Sequence, residues 1–332
     1  MKKNSTRLPI GDLPLSIRCL SAVILFIWSS ASAQEIKLVK DINTWSDPYY
    51  SEFGIVIDGG GGKLFFFADN GLYVTTGTVE TTQKLHDFKS VPAMVSYNGA
   101  LLFAADDETG IALWKTDGTT AGTVKIKAIA PYSNFQEPEG NFTNVQGTLF
   151  FTATDAASGM ELWKTDGTSA GTVRVKDIKP GASSSNPFEL TAVGNKLFFG
   201  APSGNNKGIE LWISDGTSAG TMMVADINSG SASSDPAHLT AMNGKVYFEA
   251  KNGWNGFELW TSDGTSSGTY MVKDIRPGAA NSSVNRLTNV NGTLFFEAHD
   301  GVHGKELWKS DGTEAGTVLV KDITPGPASS AG

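Results

Sequence analysis

Cysteine is almost absent from this 332-residue sequence: the one copy, Cys19, sits in the N-terminal segment. Disulfides therefore cannot frame the fold, and the bulk of the chain has no thiol for nucleophilic chemistry. Charge is sparse at 18% of residues and acidic in balance, with a formal net charge of -8. That excludes the basic footprint expected of a protein that grips nucleic acid or anionic lipid. Histidine is also scarce, at His86, His238, His299 and His303 only. Apart from Leu20 to Trp28 there is no long apolar run, and that one is about half the roughly 20 residues a membrane-spanning helix needs. A 3.6-residue apolar period is missing throughout, so no helix is predicted.

What the chain does have is turn chemistry, with 38 glycines and 13 prolines, alongside 40% hydrophobic residues, enough for a sizeable core. Its N-terminus reads as an export signal: Lys2, Lys3, Arg7 and Arg18 precede the short apolar run, and Ala31-Ser32-Ala33 supplies a small-residue cleavage site. Residues 1–33 are predicted to be removed before Gln34, leaving no membrane insertion and an extracellular, cell-surface or periplasmic protein. Removal of the segment takes the formal charge from -8 to -11, because it carries four basic residues and the acidic Asp12.

The chain is organised around a stretch seen whole at Glu306-Leu307-Trp308-Lys309-Ser310-Asp311-Gly312-Thr313. Its tryptophan returns at Trp114, Trp163, Trp212, Trp260 and Trp308, with Tyr73 in a worn copy, at steps of 41, 49, 49, 48 and 48 residues. A fixed period of this size marks a repeat architecture. A second element, V-x-V-K-D-I, runs from Ile36–Ile42 to the stretch ending at Ile323, bracketing six units. Each unit reads as four short strands, which in the last are Leu287–Val290, Thr293–Ala298, Glu306–Ser310 and Thr317–Ile323. Asn291-Gly292 joins the first two, and Asn98-Gly99, Gln146-Gly147, Gly194-Asn195 and Asn243-Gly244 hold the same place, each a tight-hairpin signal.

If Ser310 faces Thr317, antiparallel pairing sets Trp308 against Leu319 and Glu306 against Lys321, and by the same register Thr165 meets Thr172 and Glu161 meets Lys176. The second strand is apolar at successive positions, as in Leu294-Phe295-Phe296 and Leu64-Phe65-Phe66-Phe67, so both of its faces must be covered. One four-stranded sheet cannot do this alone. The pattern predicts an all-β six-bladed β-propeller of four-stranded antiparallel blades over residues 34–326. The tail 327–332 then reads as the start of a further repeat. Either Ile36–Ile42 or Val318–Ile323 could complete the blade where the ends meet.

The signature Glu-Leu-Trp-x-x-Asp-Gly-Thr is complete at residues 161–168, 210–217, 258–265 and 306–313. Ala112 replaces the glutamate in one unit, and Gly71, Tyr73 and Thr76 replace Glu, Trp and Asp in the first. Over roughly residues 35 to 326 the chain resembles the bacterial repeat family named for this consensus, the ELWxxDGT repeat. The resemblance implies exported or surface proteins with propeller-like repeats, and it assigns no catalytic residue.

The aspartates of the Asp-Gly-Thr loops, Asp117, Asp166, Asp215, Asp263 and Asp311, read as turn residues that accept their own backbone N–H groups. On the opposite rim the topology gathers Asp155, Glu161 and Asp177, and in the last unit Asp300, Glu306 and Asp322. These sets could offer Ca²⁺ its oxygen ligands, or else serve as cross-strand partners and turn caps. His299 and His303 flank Asp300 but have no counterparts in other units, which favours a solvated loop over a metal site. No serine-nucleophile elbow is expected, and catalytic residues and cofactors other than Ca²⁺ are not anticipated.

Between Phe88 and Tyr97 the crossing from one unit to the next is several residues shorter than elsewhere, which predicts a notch on the rim between the first two blades. Trp45, Tyr49, Tyr50 and Tyr132 are the aromatic candidates for stacking on a ligand there. The expected function is a non-enzymatic binding or adhesion module that meets an extracellular glycan or protein through its loops. A polysaccharide hydrolase or lyase working at the channel, and a structural segment of a larger surface protein, are the alternatives.

Overall fold

The computed structural model describes residues 56–131, 142–155, 157–204 and 206–330. The first blade is β1–β4 (Val56–Gly60, Lys63–Ala68, Gly71–Thr75, Gln83–Asp87), and the second is β5–β8 (Ser90–Tyr97, Ala100–Asp106, Ile111–Thr116, Val124–Lys127). The third holds β9–β13 (Ala130–Pro131, Thr143–Val145, Thr148–Thr154, Met160–Thr165, Val173–Lys176), and the fourth β14–β17 (Phe188–Val193, Lys196–Pro202, Ile209–Ser214, Met222–Met223). The fifth is β18–β21 (Ala237–Met242, Lys245–Ala250, Glu258–Ser262, Tyr270–Lys273), and the sixth β22–β25 (Asn285–Val290, Thr293–His299, Lys305–Ser310, Val318–Lys321). Each is an antiparallel meander in which sequence neighbours pair, and the described residues contain no helix. The protein is an all-β, six-bladed β-propeller.

The hairpins follow their turn residues. Asn291 and Gly292 both take positive φ, at 51° and 82°, so that Val290 pairs with Thr293. In the fourth blade Gly194 alone does so, at 62°, which is the pattern a leading glycine allows. The third blade departs from the rule. Its first strand is split, with β9 and β10 pairing successive parts of β11.

The register is as expected at the centre of each blade and differs at one edge. Trp308 faces Leu319, and the Ser310 and Thr317 hydroxyls lie 2.7 Å apart, as do those of Thr165 and Thr172. A bulge between Leu307 and Trp308 then sets Leu307, rather than Glu306, opposite Lys321. The same bulge between Leu162 and Trp163 gives Lys176 to Leu162, so the expected Glu161–Lys176 pair does not form. The same bulge occurs where Gly71 and Ala112 replace the glutamate, so it belongs to the blade backbone, and the displaced glutamate finds other partners, described below.

Blades stack through unlike faces. One face carries the tryptophan and its cross-strand phenylalanine, and it packs on the leucine face of the preceding blade. Phe103, Ala105 and Trp114 thus cluster with Phe65, Leu72 and Leu85 of the first blade. Phe199 and Trp212 likewise cluster with Phe150, Leu162 and Val175, and Phe296 and Trp308 with Tyr247, Leu259 and Val272. Leu72, Leu113, Leu162, Leu211 and Leu259 are all fully buried. Each such side chain contributes about 1.5–3 kcal/mol by leaving water, so neighbouring blades supply the stability that a lone sheet lacks. Val318–Lys321 is the fourth strand of the sixth blade. The Ile36–Ile42 segment and the predicted signal lie outside the described residues.

Candidate functional site

The two rims are built differently. On one, the Asp-Gly-Thr loop joins the third strand of each blade to the fourth. Asp215 Oδ1 accepts the Thr217 N–H at 2.8 Å and its hydroxyl at 2.7 Å, and Thr217 Oγ1 accepts the Gly220 N–H at 2.9 Å. The same pattern recurs at Asp117, Asp166, Asp263 and Asp311. These hydrogen bonds, led by the threonine hydroxyl, hold the five carboxyls below the usual range. A Cβ on Gly220 would stand 2.2 Å from the Asp215 carboxylate, which explains a glycine five residues after each aspartate. Thr76 replaces the aspartate in the first blade, yet Thr75 and Thr82 keep their hydroxyl pair at 2.8 Å.

These loops also contain a spacing that was not anticipated. Gly167-Thr168-Ser169-Ala170-Gly171 and its copies at 216–220 and 264–268 match G-x-S-x-G. A nucleophile elbow needs a strand, a sharp turn and a helix. Here the five residues bridge two antiparallel strands and serve the aspartate cap.

On the opposite rim the consensus glutamate turns inward. Glu161 Oε2 accepts the Ile178 N–H at 2.9 Å and the Ser185 hydroxyl at 2.6 Å, and Oε1 accepts the Ser185 N–H at 3.1 Å. Glu210 repeats all three bonds with Ile227 and Ser234. Burial raises Glu161 and pushes Glu210 and Glu258 up to about 7, against those same hydrogen bonds. Glu306 differs: the Ser330 hydrogen bond outweighs burial and its carboxyl lies below the usual range.

The two carboxylate sets are therefore engaged locally. Asp155 Oδ1 caps its own loop, accepting the N–H groups of Ala157 at 2.9 Å and Ser158 at 2.7 Å. Asp177 lies 3.7 Å from Arg174. Asp300 Oδ2 meets His303 Nδ1 at 2.7 Å, and that contact raises the histidine. Asp322 and Glu306 are close enough to add to the same effect. Among the described residues, no three acidic, histidine or cysteine side chains converge as a metal site.

The expected notch is present. Only Phe88 and Lys89 separate β4 from β5, and a cavity of about 360 Å³ lies there, lined by Asn70, Asp87, Phe88, Lys89, Asp107 and Glu108. Asp107 is drawn down to about 2 by Lys125, which lies 2.6 Å away. The aromatic candidates Trp45, Tyr49, Tyr50 and Tyr132 all fall outside the described residues.

Sequence reasoning missed a different aromatic. Trp254 is 86% exposed at the tip of the loop between β19 and β20. Asn252 Oδ1 accepts its N–H at 2.9 Å and that of Asn255 at 2.7 Å, and Asn255 Nδ2 donates to Asp274 at 2.7 Å. Asp155 and Asp300 cap the equivalent loops in the same way, with Ala157 and Val302 at the tip. The signal was there in the sequence: a tryptophan outside the repeated motif, two residues after a capping asparagine.

No family model matches the chain, and no curated protein does. Among solved structures it is similar to the β-propeller domain of the Trilobed protease from Pyrococcus furiosus, at 12% identity and TM-score 0.41, over 82% of this chain and 84% of that one. It is also similar to prolyl oligopeptidase B from Galerina marginata, at 12% identity and TM-score 0.49, over 83% of this chain and 44% of that one. An uncharacterized protein from Listeria monocytogenes EGD-e is similar at 12% identity and TM-score 0.41, over 83% and 85%. The chain spans less than half the length of the prolyl oligopeptidase.

Proposed function

We propose that the protein is a binding or adhesion module, exported as the ELWxxDGT resemblance implies, that holds a glycan or protein partner on its crossing-loop rim. The observation that carries the reading is Trp254, held out into solvent at 86% exposure by a loop whose backbone is fixed from both sides. Single exposed apolar residues are ordinary. A tryptophan on a pre-ordered loop is different, because it offers a large apolar face at little further ordering cost, and tryptophans are enriched among the residues that dominate binding energy. The neighbouring loop places Val302, at 62% exposure, in the equivalent position. The chain as a whole is acidic, with a formal net charge of -8, which suits neutral polymers or cationic partners.

The test is a glycan array together with pull-down from surface extracts, comparing the mature protein with Trp254→Ala. A partner that the parent protein retains and the variant binds at least tenfold more weakly supports the reading, a loss of about 1.4 kcal/mol or more. An unchanged affinity in the variant removes Trp254 from the site, and consistently empty arrays and pull-downs with the parent protein count against binding as the function.

A further inference from the structure

Among the described residues, five of the six blades have their leucine face covered by the next blade, and the sixth has no such cover. At the five covered positions equivalent to Leu307 the leucine is fully buried, while Leu307 itself is 38% exposed. Val320 is 44% exposed where Val272 is 4%, and Ile323 is 57% where Ile275 is 4%. Val290 is 48% exposed where Met242 is 1%. The face is therefore apolar from its first strand to its fourth, larger than the scattered exposure normal for a surface.

Its polar groups are also set for a neighbour. Lys127, Lys176 and Lys273 each reach across to a backbone carbonyl of the next blade, those of Thr172, Thr221 and Thr317, at 2.6, 2.7 and 2.8 Å. Lys321 occupies the same position, and among the described residues no acceptor meets it. Thr143, Thr191 and Thr240 donate across the interface to the carbonyls of Leu190, Leu239 and Leu287. Thr288 bonds only within its own strand, to Arg286.

The first blade's own tryptophan-type face is not exposed to meet it. That face carries Phe66, Ala68 and Tyr73, and these are already buried, at 1%, 1% and 7% exposure. The crossing after the sixth blade, by contrast, is already folded in the form that elsewhere introduces a new blade. Ser330 donates to Glu306 at 2.6 Å and to the Lys305 carbonyl at 3.1 Å, as Ser185 and Ser234 do to their glutamates and to the carbonyls of Met160 and Ile209. In those units a new first strand begins three residues later, at Phe188 and Ala237.

We infer that the outward face of the sixth blade is a docking surface for one further unit of this repeat, seated through its tryptophan face. The incoming unit supplies the leucine, phenylalanine, alanine and tryptophan that cover Val290, Leu307, Val320 and Ile323. Its Asp-Gly-Thr loop offers the carbonyl for Lys321, and its first strand offers the carbonyl for Thr288.

The experiment places a sole thiol on the face, Leu307→Cys in a Cys19→Ser background, and measures its alkylation rate in the native protein. The rate is compared with that of the same chain extended after Gly332 by a copy of residues 285–332, which places a first strand in the spacing seen after Ser185 and Ser234. The proposal expects at least a tenfold slower reaction in the extended chain, with the added unit resistant to protease. It also expects the fast rate to return when the added unit has alanine in place of its tryptophan. Equal rates, or an added unit that protease removes, would overturn it. So would protection of the thiol in the unextended chain, whether it grows with protein concentration, as a second copy would cause, or holds at every concentration, as an internal cover would. None of these readings depends on Trp254 or on any partner.

Discussion

Ser234 Oγ donates to Glu210 Oε2 at 2.6 Å across 24 residues of chain, and both side chains are fully buried. With the Ile227 and Ser234 N–H groups on the same carboxylate, this one glutamate ties the end of the fourth strand to the loop that leads to the next blade. Removing it strands the Ile227 N–H and leaves the Ser234 N–H and hydroxyl only the Ile209 carbonyl as acceptor. Glu210→Leu is expected to cost about 1–3 kcal/mol, the range for one buried unmet group. Ser234→Ala should cost about 1–2 kcal/mol. Urea unfolding midpoints would check both, and a Glu210→Leu variant as stable as the parent would refute the role.

The consensus glutamates, together with Glu249 on β19, predict a pH dependence. Burial raises Glu210, Glu249 and Glu258 to about 7 in the folded protein, above the ordinary value of 4.5 that they regain on unfolding. Between those values the folded state holds more protons than the unfolded state, so stability falls as pH rises from about 4.5 to about 7 and then levels off. Chemical unfolding at pH 5, 6, 7 and 8 should show this decline, and Glu210→Gln or Glu258→Gln should flatten it. A stability that climbs over this interval in the parent protein would contradict the assignment.

The Asp-Gly-Thr loop makes a coupled prediction. Gly220→Ala forces a Cβ to within 2.2 Å of the Asp215 carboxylate, so the aspartate must leave its hydrogen bonds with Thr217. A cost of about 1–3 kcal/mol is expected, by analogy with overpacking elsewhere. With Asp215→Ala already in place the obstruction is gone, so adding Gly220→Ala should cost much less. The double-mutant cycle reads the coupling directly, and additive costs would mean that the glycine serves some other purpose.

Much of this was legible in the sequence for a physical reason. Side-chain alternation and Asn-Gly turns are local signals, and they set the number of strands, the hairpins and the Trp308–Leu319 register. The bulge beside Leu307 was not legible, and it does not come from the glutamate, because it recurs beside Leu72 and Leu113 where Gly71 and Ala112 stand in the glutamate's place. The glutamate carries a charge, and sequence reasoning placed it at the surface against lysine. The donors that draw it inward, a backbone N–H and a serine hydroxyl, lie 17 and 24 residues away. The short crossing at Phe88 gave the rim cavity correctly, since a missing length of chain is a local fact. Trp254 lies outside the repeated motif, so the period that marks the other tryptophans carries no signal for it.

Position within the array should decide the cost of one substitution made in two places. Leu259 and Leu307 hold the same place in their repeats, yet the first is fully buried under the sixth blade and the second is 38% exposed. Leu259→Lys drives an unpaired charge into a closed apolar interface and removes a well-packed side chain, which should cost more than about 4 kcal/mol or prevent folding. Leu307→Lys can extend its ammonium into water and should cost less than about 1 kcal/mol in this chain. Paired thermal and urea unfolding of the two variants measures the difference. Equal and severe losses at both positions would mean that Leu307 is covered in solution. Equal and mild losses would mean that the blades do not depend on one another for stability, and the stacking account would have to be given up.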